Sequence, residues 1–149
     1  MTTSAELCEA AGISRRMMYW WLKRGLLKIR DRHYRCRFDD DQILRALVVR
    51  ELRKRDMPIA EILRVGYRLT SEYLVIVRGR IFRHGSKGLL RYLKRINAPF
   101  TLISMADLRA EAEAARGRIA AAPPTGTVRC PQDGSNHPRR PLIRRAAAA

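Results

Sequence analysis

The sequence predicts a mainly α-helical chain: a helix-turn-helix with a wing at the N-terminus, then a small α+β unit, then a disordered basic tail. Three observations predict it. Residues 12–27 run from a turn glycine through Ser14 into a short basic and aromatic helix that stops at Gly25. Apolar residues recur at helical spacing through Ile43, Leu44, Leu47, Val48 and Leu52, and again from Ile59 to Leu69. From Gly117 onward, prolines and glycines punctuate a polar stretch with no periodicity.

Each element has a local reason. Thr3 and Glu6 stand three apart, the spacing of a capping box, and Ala5, Leu7, Cys8 and Ala11 give the first helix one apolar face. Gly12 breaks that helix and Ser14 caps the second. Within the second helix, Met17 and Trp21 continue a stripe from Ile13, with Met18 and Leu22 beside it. Gly25 is placed for a left-handed stop. Residues 28–38 interleave Ile29, Tyr34, Cys36 and Phe38 with basic residues, the pattern of a two-stranded wing with its tip near residues 31–33. Asp39, Asp40 and Asp41 open the third helix, whose positive end they suit. Pro58 is expected at the first position of the fourth.

The pattern then changes. Tyr73 to Val77 predicts a strand, Arg78-Gly79 a turn, and Arg80 to Arg83 a strand pairing back. Ser86 is expected to cap a helix carrying Leu89, Leu90, Leu93 and Ile96. Phe100 to Ile103 predicts a third strand, and Ser104 with Asp107 opens a final helix to about Arg116. The organisation is therefore 1–70, a winged helix-turn-helix; 71–116, a strand-strand-helix-strand-helix unit; and 117–149, a disordered basic tail. The α+β unit has two readings: a dimerisation or partner module completed across its open sheet edge, or extra core covering the fourth helix.

Charge bounds the function. The chain has 149 residues, 31 of them Lys or Arg against 14 Asp or Glu, a net charge of +17. The excess is +7 over residues 1–70, +6 over 71–122 and +4 over 123–149. A field of this sign draws in phosphate polymers. No signal peptide and no membrane span is expected, since the longest apolar run is Tyr73 to Val77. Cys8, Cys36 and Cys130 are scattered, which favours reduced thiols in a cytosol. His33, His84 and His137 lack metal-ligand spacing, and no phosphate loop, nucleophile elbow or catalytic carboxylate pair is present. No metal, cofactor or enzymatic activity is therefore expected.

The first 70 residues resemble the winged helix-turn-helix DNA-binding domain of MerR-family bacterial transcription regulators. The resemblance is carried, in order, by Ala5 to Ser14, Arg16, Trp20-Trp21, Gly25-Leu26-Leu27, Tyr34-Arg35, the Asp41–Leu47 region and Met57 to Ile62. Tyr19 and Leu22 replace an arginine and a glutamate common in that family, and the wing holds one extra residue between Arg35 and Phe38. Family members usually continue into a long helix that forms a dimeric coiled coil. Here strand-forming sequence follows Glu72, so the family's dimerisation, promoter realignment and effector sensing do not carry over. Related small modules also occur in excisionases and at the front of some recombinases.

The expected DNA-binding residues are Ser14, Arg15, Arg16, Tyr19, Trp20, Lys23, Arg35 and Arg37. Arg15 and Arg16 occupy the first turn of a recognition helix, where base edges are read. Tyr19 follows on the same side, and Lys23 with Arg24 suits phosphates. Trp21 belongs to the core stripe. The resemblance puts Trp20 near the DNA backbone, although it could equally seal the wing. Arg30, Arg32, Arg35 and Arg37 arm the wing for phosphate or minor-groove contact, and the resemblance favours Arg35 among them. The expected function is sequence-specific duplex DNA binding as a cytoplasmic, nucleoid-associated transcriptional regulator. The alternatives are an excisionase-like architectural or recombination-directing protein, and an RNA-binding or ribonucleoprotein assembly protein. Expected partners are duplex DNA, a second copy through residues 72–116, and RNA polymerase or a recombinase, with no membrane partner.

Overall fold

The computed structural model describes residues 1–30, 37–39, 41–66 and 69–121. The expected wing tip, together with Arg32, Arg35, Cys36 and the tail from residue 122, lies outside the described residues. The described chain is mostly helical with a small sheet region. Strand β1 is Thr2–Thr3, and α1 (Ser4–Ala11) follows directly. Its capping box is complete: the Thr3 N–H donates to Glu6 Oε2 (2.7 Å), and the Glu6 N–H donates to Thr3 Oγ1 (3.4 Å). Gly12, at φ 62°, ends α1 in the left-handed region.

Helix α2 is Arg15–Lys23, capped by Ser14 Oγ, which accepts the Met17 N–H (3.2 Å). Its stop is the expected one. Gly25 adopts φ 74°, and the Leu26 N–H reaches back to the Trp21 carbonyl (2.9 Å). The inward face differs from the expected stripe. Met18 and Trp21 are buried, whereas Met17 is 46% exposed. Ile13 sits in the turn before the helix, so a stripe drawn through it has the wrong phase. Packing against α1 sets the phase instead, and Cys8 Sγ lies 3.7 Å from Met18 Sδ.

After the turn, β2 (Arg37–Phe38) pairs antiparallel with β1, Thr2 opposite Phe38. The sequence did not signal this N-terminal strand; it is too short to show alternation. The Arg30 N–H donates to the Arg37 carbonyl (3.0 Å), which closes the base of the segment expected to form the wing.

Helix α3 (Asp41–Lys54) is the central element, with Ile43, Ala46, Leu47, Val48, Val49 and Leu52 all buried. Arg45, 1% exposed, is buried with them. Its guanidinium donates to the carbonyls of Leu26 (3.2 Å), Ile62 (3.4 Å) and Gly66. One cation thereby joins the exit of α2 to the end of α4 (Ile59–Val65). Pro58, expected at the first helical position of α4, is instead its N-cap, and the helix begins at Ile59; Pro58 has ψ 142° and its carbonyl accepts from Ile62 (3.1 Å). Arg50 acts similarly, donating to the Ala11 carbonyl (3.2 Å) and to both carboxylate oxygens of Glu111 (2.9 and 3.0 Å).

Strands β3 (Tyr73–Val77), β4 (Arg80–His84) and β5 (Phe100–Ser104) form an antiparallel sheet in the order β4-β3-β5. Arg78 and Gly79 both take positive φ (49° and 73°), the two-residue hairpin turn whose twist matches its strands. Helix α5 (Ser86–Arg95) has Gly85, not Ser86, at its N-cap. The Ser86 N–H is instead the first of the helix and donates to Glu72 Oε2 (2.6 Å). Helix α6 (Met105–Ala121) continues through Gly117, beyond the end its sequence predicts. Glycine lowers helix propensity but does not forbid a helix.

One core cluster runs through the whole described chain, from Leu7, Trp21 and Leu47 to Leu74, Ile81, Ile103, Leu108 and Ala115. Helix α6 packs on α1 and α3, and β4 packs on α4. The expected α+β segment therefore shares its core with the helix-turn-helix. Arg64 Nη2 on the Ile81 carbonyl (2.8 Å) adds a polar tie between α4 and β4.

Two outcomes follow for stability. Arg45→Met leaves the buried carbonyls of Leu26 and Ile62 and the half-buried one of Gly66 without this donor, at about 1–3 kcal/mol for each buried group left unsatisfied; a fall of at least about 2 kcal/mol in urea unfolding is expected. Glu51, held by Arg55 (2.8 Å) and Lys54 (2.9 Å), has its carboxyl lowered from 4.5 to about 2, with the Arg55 hydrogen bond as the first cause. Its ionised form is favoured in the folded state, so its contribution is complete above pH 4.5 and is lost as pH falls toward about 2. Unfolding curves across that window should be flatter for Glu51→Gln than for the wild type.

Candidate nucleic-acid interface

Helix α2 buries one face against α1 and turns the other outward. Each residue advances about 100°, so burying Met18 and Trp21 forces Arg16 and Lys23 to the middle of the outer face. Tyr19 and Trp20 flank them. The structure accordingly brings together Ser14, Arg15, Arg16, Trp20 and Lys23 as exposed residues of one helix, with Tyr19 half-buried at its margin. No carboxylate occurs anywhere in α2. The outer face is cationic along its length, and the N–H groups of its first turn add the positive end of the helix dipole.

Each member has a defined chemical state. Ser14 Oγ is engaged as an acceptor by the cap, and its O–H remains a donor. The Tyr19 phenol is pushed up from its ordinary pKa, by burial first, with the Arg15 charge opposing this and Cys8 adding to it. It is therefore neutral near pH 7. Burial likewise raises the Cys8 thiol, against the Arg15 charge; this cysteine is a core side chain. Arg15 is thus close enough to act electrostatically on both while its own side chain is exposed.

The two tryptophans separate as the geometry of adjacent helical residues requires. Trp21 is 2% exposed and Trp20 is 36% exposed. The guanidinium of Arg24 lies over the Trp20 ring, 5.4 Å from its centroid. The sequence places Arg24 with Lys23 for phosphates but does not name its stacking on Trp20. The signal that finds it is the place of Arg24 four residues beyond Trp20 on the same side of the helix.

The wing is described only at its base. Arg37 is exposed on β2, with Nη1 3.9 Å from Met1 Sδ. Arg30, expected to be a wing cation, is instead paired with Asp39 (2.8 Å). Both side chains of that pair are about half exposed, so it contributes at most about 1 kcal/mol, but it does divert Arg30 from other anions. Arg35, the wing residue the resemblance favours, lies outside the described residues. Among the described residues, no group of His, Cys, Asp and Glu could hold a metal ion, and no helix is long and apolar enough to cross a membrane.

A helix with an exposed basic face and no acidic residue behind a glycine turn, with a short sheet beside it and two helices behind, defines a helix-turn-helix module. Residues 2–65 match the family model of the MerR HTH family regulatory protein. The match begins in β1 and ends at the last residue of α4, and it agrees with the resemblance that these N-terminal residues carry. No curated protein matches the chain.

The two tryptophans give a direct check on which face is which. Trp21→Ala should cost about 3–5 kcal/mol of unfolding free energy, as a large core truncation. Trp20→Ala should cost no more than about 1 kcal/mol, the scale of an exposed cation–π contact. Chemical denaturation of the two variants decides it, and equal costs would reverse the assignment of faces.

Proposed function

We propose that this protein binds duplex DNA at a specific sequence through α2 and the adjoining wing, and regulates transcription by occupying a promoter region. The observation that carries the reading is the outer face of α2, where Arg15, Arg16 and Lys23 are exposed with no carboxylate on the helix. The match of residues 2–65 to a helix-turn-helix regulatory family supports it. Arg16 reads base edges, since an arginine in the first turn of a recognition helix can donate two hydrogen bonds to guanine. Ser14 and Tyr19 contact the backbone or neighbouring bases. Trp20, with Arg24 stacked on it, Lys23, Arg35 and Arg37 hold phosphates. The protein acts in the cytoplasm, at the nucleoid, without enzymatic activity or a cofactor. RNA polymerase is the partner this role calls for.

A second copy would place two α2 helices on half-sites about one DNA turn apart. The open edge of β5, with Phe100 46% and Leu102 40% exposed, supports such a dimer. A recombination-directing, DNA-bending role that recruits a recombinase is the second reading. It is favoured by the path of the chain after α4, which folds back through the sheet and α6 onto α1 and α3 instead of projecting a long helix.

Selection from a random duplex pool at physiological salt tests the main reading. A single enriched motif is expected, and an inverted repeat in it would mark a dimer. Arg16→Ala should lose about 1–3 kcal/mol of discrimination at one base position, roughly a 5- to 150-fold loss of preference. Equal binding of all duplexes by both proteins would overturn sequence-specific regulation. A phased-site bending assay separates the recombination role. Preference for double-stranded RNA over DNA of equal length would move the protein to a ribonucleoprotein role, because the major groove of A-form RNA does not admit side-chain readout.

A further inference from the structure

The arginines and lysines of this fold divide into two populations. Those on α3, α4 and α6 are largely engaged. Arg50, Lys54 and Arg55 share Glu51 and Glu111, Arg64 holds Glu61, and Arg109 donates to the carbonyls of Leu69 and Ser71. Two helices, α2 and α5, contain no aspartate or glutamate at all, whereas α1, α3, α4 and α6 each contain at least one. The absence extends well past α5: residues 73–104 hold seven Arg or Lys and no Asp or Glu.

On α5 the cations are ordered. Lys87, Arg91, Lys94 and Arg95 stand at i, i+4, i+7 and i+8, which places them on one side of the helix. All four are exposed, and none has a carboxylate within ion-pair distance among the described residues. The opposite side of the helix is committed to the sheet. Leu89 is 7% exposed, and the Tyr92 ring stacks on Phe82 (5.6 Å) and His84 (4.1 Å). With Leu89 and Tyr92 occupied, Leu90 (69% exposed) is the one large exposed apolar side chain α5 keeps among the described residues, too little for the buried apolar face of an amphipathic membrane helix. The stripe spans nine residues, about 12 Å along the axis. A lone carboxylate would meet one or two of its charges. Duplex DNA, with a negative charge about every 1.7 Å of its axis, can meet all four.

We propose that the outer face of α5 is a second, sequence-independent phosphate-binding surface for duplex DNA, separate from the α2 face. The inference rests on the DNA-binding reading for its partner, but not on sequence specificity. It implies that affinity and specificity are divided between two faces: α2 selects the sequence, and α5 adds salt-sensitive affinity through the backbone.

The test is a variant with Lys87, Arg91, Lys94 and Arg95 all changed to Gln, which keeps the apolar side and the helical residues intact. Thermal unfolding checks that it is folded; if it is not, the pair Lys87→Gln and Arg91→Gln replaces it. Duplex DNA affinity is measured against salt, with phosphate-ethylation interference on the same complexes. The slope of log K against log salt should fall by about 0.9 for each phosphate that the variant no longer neutralises. Interference should disappear at a discrete set of phosphates, while the selected motif is unchanged. An unchanged slope and interference pattern overturns the inference, and so does a loss of affinity confined to double-stranded RNA. A wild-type protein that selects no motif, yet shows the α5-dependent slope, overturns sequence-specific regulation and upholds this surface. A wild-type protein that binds no duplex DNA overturns both.

Discussion

The buried guanidinium of Arg45 is the constraint on which the N-terminal architecture depends. A charge placed in a core is costly unless its donors are used. Here they are directed at the carbonyls of Leu26, Ile62 and Gly66, two of which are at chain reversals after a helix. Carbonyls at helix ends carry partial negative charge and lack partners within the helix, so an arginine is a fitting donor for them. The consequence is geometric. The segment leaving α2 and the end of α4 are tied to the same residue of α3, and α2 is thereby held at a fixed angle to the core. Gln42 adds a second tie nearby, its Oε1 accepting the Lys28 N–H at 2.9 Å.

The same device recurs across the fold. Arg50 joins the end of α1 to α3 and α6, Arg64 joins α4 to β4, and Arg109 gathers the loop that precedes β3. An arginine-rich composition thus has two physical uses in this chain. Part of the net positive charge is used inside the architecture, against carbonyls and carboxylates. Another part is exposed without an ion-pair partner among the described residues, where it generates a field able to attract a polyanion. Net charge read from composition merges these uses. Only the positions of the partners separate them, and they single out α2 and α5.

Much of the fold was legible because local chemistry and tertiary packing agree in it. The Thr3–Glu6 box, the Ser14 cap, the left-handed glycines at 12 and 25 and the Arg78-Gly79 turn all act within a few residues, so sequence spacing is enough to find them. The strand-strand-helix-strand-helix order was legible for the same reason. The misses have the opposite character. Met17 and Met18 exchange places because the phase of a nine-residue helix is set by its neighbour α1, not by its own apolar residues. Strand β1 leaves no signal in the sequence because two residues cannot show a period. The end of α6 was misplaced because packing against α1 and α3 outweighs the low helix propensity of Gly117.

The candidate site divides along the same line. The sequence alone determined that a capped basic helix would follow a glycine turn, that its first turn would hold two arginines, and that its adjacent tryptophans could not both be core, because helix geometry separates neighbours by about 100°. It also determined that this helix has no acidic residue. Tertiary structure decided that Met18 and not Met17 is buried beside Trp21, and that Arg30 is taken up by Asp39. It also decided that residues 73–121 share the core of the helix-turn-helix. Those outcomes depend on which surfaces meet after folding, and no spacing along the chain encodes that.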